Sequence, residues 1–213
     1  MRTIMTVCGW QIMALAFASS VVAADIRTLN GCAIRSATLC VELNLQGAKL
    51  RGADLARADF SRSNLSGADL SGANLTNADM DTVDLRNADL SEALLDAADL
   101  SRAKLGRANL DRARMNGVNL HSADLNGATL NGAQLKGADL SGAHLIGAQL
   151  RNAQLQRANL TGTRLERAVF AGADLTGANF HSATLTGADF RGATLNDANF
   201  QGANTRGCLG CPR

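Results

Sequence analysis

The sequence predicts an all-β solenoid, in which short extended sides are joined by tight corners, and three observations carry that reading. Every residue whose number is a multiple of five from Leu45 to Phe200 is apolar: 25 Leu, 5 Phe and 2 Met over 32 positions. Two residues earlier, 27 of the 32 positions are Ala; the others are Leu43, Ser63, Val83, Val118 and Thr163. Of the 21 Gly, 16 stand at the second place after the Leu, Phe or Met. Repetition of this fidelity, with no slip of phase, sets the architecture before any other feature.

Each letter of the repeat has a job. The Ala and the Leu are two apart, so on an extended segment both point to one side. The residue between them points out, and it is polar with rare exceptions such as Leu94 and Val169. The other two residues must turn the chain so that the next Ala and Leu meet the same core, and glycine supplies that freedom. A helix is excluded, because a five-residue period precesses around a 3.6-residue turn and leaves no apolar face. A flat sheet is excluded too, since the alternation breaks every five residues. Coils stacked by strand-type hydrogen bonds roughly 4.8 Å apart remain. Only outward and corner residues such as Thr129, Gln134, Lys136, Asp139, His144 and Ile146 are then free to recognise a partner.

Composition agrees. The chain has 213 residues, 46% hydrophobic but only 3% aromatic, with no Tyr, one Trp (Trp10) and one Pro (Pro212). The core must therefore be built from small aliphatics. A formal charge of +2 names no strongly acidic or basic partner. Residues 1–24 read as an export signal: Arg2, an apolar run from Ile4 to Phe17, then Val22 and Ala24 before the expected cleavage. The run is too short and too broken for a spanning helix, which needs about 20 residues, so no membrane span is expected after cleavage. A lipoprotein reading of the "LNGC" ending at Cys32 is disfavoured, because Asp25 and Arg27 separate it from the apolar run. Removing the signal takes Cys8 and leaves Cys32, Cys40, Cys208 and Cys211, which flank the repeats; in an oxidising compartment they read as two disulfides.

The stretch "GADLSGANL", Gly67–Leu75, resembles the A(D/N)LXX signature of the pentapeptide-repeat family. The resemblance covers residues 43–204 and implies a right-handed quadrilateral β-helix with four pentapeptides per coil, about eight coils in all. It leaves residues 25–42 as an N-terminal cap and 205–213 as a C-terminal cap or tail. With four sides, Leu45, Leu65, Leu85, Leu105, Leu125, Leu145, Leu165 and Leu185 form one core stack. Phe170 should lie over Phe190, and Phe180 over Phe200. On the outside, Asp59, Asp79, Asp99, Asn119, Asp139, Asn159, Asn179 and Asn199 line up as a candidate polar strip. This is either the ordinary outward letter of the repeat or an acidic strip for a basic partner or cations.

The rod also bears on the cysteines. Three pairings are open on paper, but a disulfide needs Cα atoms within about 7 Å, which favours Cys32–Cys40 and Cys208–Cys211 over bridges between the ends. "CLGC" also admits a thiol-redox reading, although nothing around it supplies the helix N-terminus that such motifs use.

No catalytic residue, metal ligand set or cofactor is expected. His121 and His181 fall three coils apart on one face, and His144 lies on another. No nucleophile–base group, phosphate loop or dinucleotide fingerprint is present. Charge is uneven, with ten acids and three bases over residues 54–99, then four acids and ten bases over 100–170. Some members of the family mimic DNA and protect gyrase, which relies on a strongly negative rod in the cytosol. Here Leu45–Phe200 carries 17 acids and 16 bases, and the tail lacks an apolar stripe for a dimerising helix. That role and nucleic-acid binding are therefore disfavoured. The expected function is a non-enzymatic exported scaffold, periplasmic or secreted, with a protein partner the sequence does not name.

Overall fold

The computed structural model describes residues 28–212. The expected export segment, with Trp10 and Cys8, lies outside the described residues. The chain enters through a small antiparallel hairpin, β1 (Thr28–Leu29) and β2 (Cys32–Ala33), in which Thr28 pairs with Ala33 and Leu29 with Cys32. Everything after it is one repeated motif. Each outward residue makes a parallel bridge to the residue twenty positions on, in five-residue steps from Leu39↔Asp59 to Asp189↔Leu209. Four pentapeptides therefore complete one turn. The four faces are called A, B, C and D, after the outward residues Asn44, Lys49, Asp54 and Asp59 and their equivalents twenty apart.

Backbone hydrogen bonds hold this winding. Leu45 N–H donates to the Asn64 carbonyl in the next coil at 2.7 Å, and Asp69 N–H donates back to the Ala48 carbonyl at 2.9 Å. At the corner, Ala48 N–H closes on the Leu45 carbonyl at 3.0 Å, and Gly47 N–H reaches the Ser66 carbonyl at 2.9 Å. Four of the five N–H groups in a repeat are thus paired with backbone, as buried backbone requires. The fifth, on the first corner residue, is left over, and its fate shapes the surface.

The second corner residue sits in the left-handed region, for example φ 66° at Gly47 and φ 58° at Arg107. With the i to i+3 bond across it, this is the φ pattern of a type II turn. Glycine is not obligatory there. Seven arginines (57, 62, 102, 107, 112, 157 and 167) adopt the same conformation, held by the same inter-coil bond. Gly210 is a different case. A Cβ there would meet the Phe190 carbonyl carbon and oxygen at 3.0 Å, so at the last turn a side chain would press on the backbone of the coil below.

The core is a shaft closed on all sides. Of the core stack, Leu45 is 1% exposed and Leu65, Leu85, Leu105, Leu125, Leu145, Leu165 and Leu185 are 0% exposed, with Ala packed between. Phe170 stacks on Phe190 with ring centroids 4.7 Å apart, and Phe180 on Phe200 at 4.8 Å, while the two pairs meet edge to face. Phe200 is only partly buried, because it stands in the last coil.

Coil geometry runs past the boundaries expected at 43 and 204. It begins at residue 36, where Ala37 takes the left-handed corner (φ 52°) and fully buried Cys40 occupies a Leu slot. It continues through the Arg206–Gly207 corner to Leu209, with Cys208 in an Ala slot. The register depends on backbone bonds and on a side chain of fitting size, and cysteine is such a small hydrophobe. The Cys32–Cys40 bridge has Cα atoms 5.2 Å apart and the Cys208–Cys211 bridge 5.9 Å.

One inward exception repairs a local fault. In the first coil, the Ser63 hydroxyl accepts from Leu43 N–H at 2.9 Å and donates to the Cys40 carbonyl. It stands in the gap between Leu43 N–H and the Cys40 carbonyl, which make no direct corner bond of the kind that joins Ala48 to Leu45. Alanine is the usual residue in this slot, yet Ser63→Ala strands both groups. We expect a loss of about 1 to 2 kcal/mol, read as faster hydrogen exchange at residues 37–48 with the central coils unchanged.

Candidate interaction surface

The leftover N–H explains the repeat's outward Asp and Asn. Between Asn44 and Asn204 there are twenty outward Asp or Asn residues, and in all twenty the side-chain Oδ1 accepts the N–H two residues on, at 2.9 to 3.3 Å. These are Asx turns, one per corner. Asp139, read from sequence as free for recognition, is one of them: it caps Ser141 N–H at 2.9 Å.

The candidate polar strip is therefore part of the scaffold's own bonding. All eight of its residues, Asp59 through Asn199, lie on face D in twenty-residue register. Each caps its own corner, and three of the asparagines also donate down the column. Asn119 Nδ2 bonds Asp99, Asn159 bonds Asp139 and Asn199 bonds Asn179, each at 3.0 Å. Between Ser101–Arg102 and Gly137–Asp139 this face has an open depression of about 580 Å³, where Gly117 and Gly137 leave the corner bare.

At five corners where the outward residue cannot cap, a second device takes over. Arg114, Thr129, Gln134, His144 and Gln149 make no such turn, and in each case the N–H two residues on is capped from the coil below. Asp96 caps Asn116 at 2.9 Å and Asn116 caps Lys136 at 3.3 Å. Along another corner, Asp111 caps Asn131 at 2.8 Å and Asn131 caps Arg151 at 3.1 Å. Asn126 caps Ile146 at 2.8 Å. Reading the sequence five residues at a time misses these relays. Their signal is an Asp or Asn at the first corner place twenty residues before an uncapped corner, which is visible only when the sequence is written in rows of twenty.

The uneven charge folds into a seam. The acidic coil ending near Leu100 stacks under the basic coil that follows. Arg102–Asp81 (2.7 Å), Arg112–Glu92 (3.1 Å) and Arg114–Asp96 (2.6 Å) tie the two together. Further along, exposed Arg191 grips Asp189 through Nε at 2.9 Å and Nη2 at 2.7 Å. Those bonds, with the Arg191 backbone N–H, lower the Asp189 pKa from 3.8 to about 2. Because the folded value lies below the unfolded one, the pair's stabilising contribution is full above pH 3.8 and is lost as pH falls towards 2. Arg191→Ala should raise the Asp189 pKa only part of the way back, since the backbone N–H remains. Carboxyl NMR titration reads this directly.

The histidines stand apart. His121 Nδ1 is 2.9 Å from Ser141 Oγ, and no group of three His, Cys, Asp or Glu among the described residues could hold a metal ion. Cys208 and Cys211 lie in a turn in which Cys208 N–H closes on the Thr205 carbonyl at 3.0 Å, and no helix follows them among the described residues. Among the described residues, no helix is long and apolar enough to cross a membrane.

The pentapeptide-repeat family, described as pentapeptide repeats, matches the chain in 8 copies running from residue 40 to residue 209. The chain belongs to that family. Among solved structures it is similar to HetL, a pentapeptide-repeat protein involved in heterocyst differentiation regulation from the cyanobacterium Nostoc sp. strain PCC 7120. The two are 32% identical over 88% of this chain and 90% of HetL, with a TM-score of 0.38. QnrB1, a plasmid-mediated fluoroquinolone resistance protein, is 22% identical over 80% of this chain and 90% of its own, with a TM-score of 0.55; that likeness shows the fold alone. A pentapeptide-repeat protein of the Arabidopsis thaliana thylakoid lumen is 37% identical over 43% of this chain and 61% of its own, with a TM-score of 0.35. No curated protein is similar enough to match.

Proposed function

We propose that this protein is a non-enzymatic, exported scaffold that binds another protein along one side of a right-handed, four-sided rod of about eight coils. The observation that carries the reading is the use of the outward carboxylates and amides. All twenty outward Asp and Asn cap corners, so the groups that most resemble catalytic or metal-binding chemistry are committed to the fold. What varies from coil to coil is a set of long polar and basic side chains on a stiff frame, which suits recognition of a macromolecule over an area. Family membership supports the interaction role, and the apolar run of residues 4–17 with Val22 and Ala24 supports export.

Three measurements test it. Fractionation should find the protein in the cell envelope or medium, and recovery in the cytosol would overturn export. Once the signal is cleaved no Trp or Tyr remains, so the purified mature protein should barely absorb at 280 nm. Thiol counting on that protein should find none free. A reactive C-terminal pair, with an exchange activity lost in Cys208→Ser, would replace the scaffold reading by a redox one.

A further inference from the structure

We infer that face C, over the coils carrying Arg114, Gln134 and Gln154, is the recognition face, and that it takes an acidic, extended stretch of polypeptide. The inference rests on the scaffold reading above and names the site and the chemistry of its partner.

The first observation is where the relays lie. Face C is bounded on one side by the corner of Asp111, Asn131 and Arg151, and on the other by the corner of Asp96, Asn116 and Lys136. Among the described residues, this is the face with consecutive relays from below on both edges. An ordinary outward Asp or Asn at 114 and at 134 would have capped the second of those corners unaided, as one does at twenty other places. Instead the capping duty has moved sideways, and the outward slots are given to Arg114 and Gln134. Face D shows the opposite arrangement: each strip residue from Asp59 to Asn199 caps its own corner.

The second observation is charge. Both relays end on exposed cations, Lys136 and Arg151, and exposed Arg157 stands one coil above Lys136 on the same corner. None of the three makes an ion pair among the described residues, whereas Arg112 and Arg114 just below are matched by Glu92 and Asp96. No acid occurs between Asp139 and Glu166. Three cations without a direct ion pair thus border this polar face, with Asp174, held by Gln156, as the acid in the next coil, and an anionic partner would complete them.

The third observation selects the class of anion. Gln134 and Gln154 carry both donors and acceptors, and in register they stand one coil apart, roughly 4.8 Å. A peptide backbone offers both kinds of group, while a phosphodiester backbone offers acceptors only. The face therefore fits carboxylate side chains on an extended peptide better than it fits nucleic acid.

The test uses the mature protein with its disulfides intact. Binding of a fluorescein-labelled decaglutamate is measured by anisotropy at several salt concentrations, beside a labelled DNA duplex. The variant Lys136→Glu, Arg151→Glu, Arg157→Glu should weaken decaglutamate binding by about tenfold or more. The same charge change placed elsewhere, as Lys104→Glu, Arg107→Glu, Arg167→Glu, should weaken it by less than about threefold. Circular dichroism melts verify that both variants fold. Equal losses in the two variants, no binding of decaglutamate, or tighter binding of the duplex would each overturn the inference. A photo-crosslinker at position 154, and another on face D at 159, separates this from the broader reading. Protein captured from the envelope at 159 but not at 154 would sink the face C assignment and leave the scaffold standing. Capture at neither would sink both.

Discussion

Phe180→Ala should be among the most damaging single changes in this protein, costing about 3 to 5 kcal/mol. Phe180 is 0% exposed and touches three other rings: Phe200 stacked at 4.8 Å, with Phe190 at 5.6 Å and Phe170 at 6.1 Å in edge-to-face contact. Truncation removes the transfer free energy of a large ring and leaves a cavity that cannot collapse. Every neighbouring side chain is fixed to a coil whose backbone is bonded to the coils around it. Each of the three ring–ring interactions contributes roughly 0.5 to 1.5 kcal/mol beyond the area it buries. Stability in a solenoid is close to a sum over coils and their interfaces, so the loss should show first as opening of the C-terminal coils. Hydrogen exchange should show residues 170–204 losing protection while 60–120 keep theirs. Uniform loss of protection along the rod would mean that the coils melt as one unit.

The inverse experiment is Ala128→Leu, expected to cost about 3 kcal/mol, at the upper end of overpacking. Ala128 is 0% exposed, and the shaft has no open side into which an added isobutyl group could lean. Its neighbour one residue on supplies the control. Thr129 points out, and its hydroxyl donates to Asn109 Oδ1 at 3.1 Å. Thr129→Lys forfeits that one half-exposed bond and should stay within about 0.5 kcal/mol of wild type. Denaturant midpoints decide the matter, and equal shifts for the two variants would refute the inward and outward assignment.

Much of this molecule was legible in its amino-acid order, because the interactions that build one pentapeptide are local. Leu45 and its equivalents follow from alternation on a strand, and the corners from the two residues left over. Coil geometry outruns the repeat pattern at both ends for a reason that is also local. Thr38 and Cys40, and then Thr205 and Cys208, break the Ala and Leu pattern without breaking the backbone bonds that continue the coil. The site was less legible. Asp139 looks like a free carboxylate in sequence, and only the geometry of its corner shows Oδ1 bound to Ser141 N–H. Asn116 and Asn131 look like ordinary corner residues, and only stacking reveals that each serves a corner in the next coil.

Amino-acid order sets the five-residue period, the apolar shaft, the side to which each residue points and the places where cysteines close the ends. The polar contacts between coils came only with the stacked structure. It placed Ser63 in a gap between Cys40 and Leu43, set Arg102, Arg112 and Arg114 against acids in the coil below, and gave face C a relay on each edge. The physical reason is the separation of scales. A pentapeptide is specified by bonds between near neighbours, whereas every one of these contacts depends on how many pentapeptides complete a turn, a quantity set by coils packing on one another.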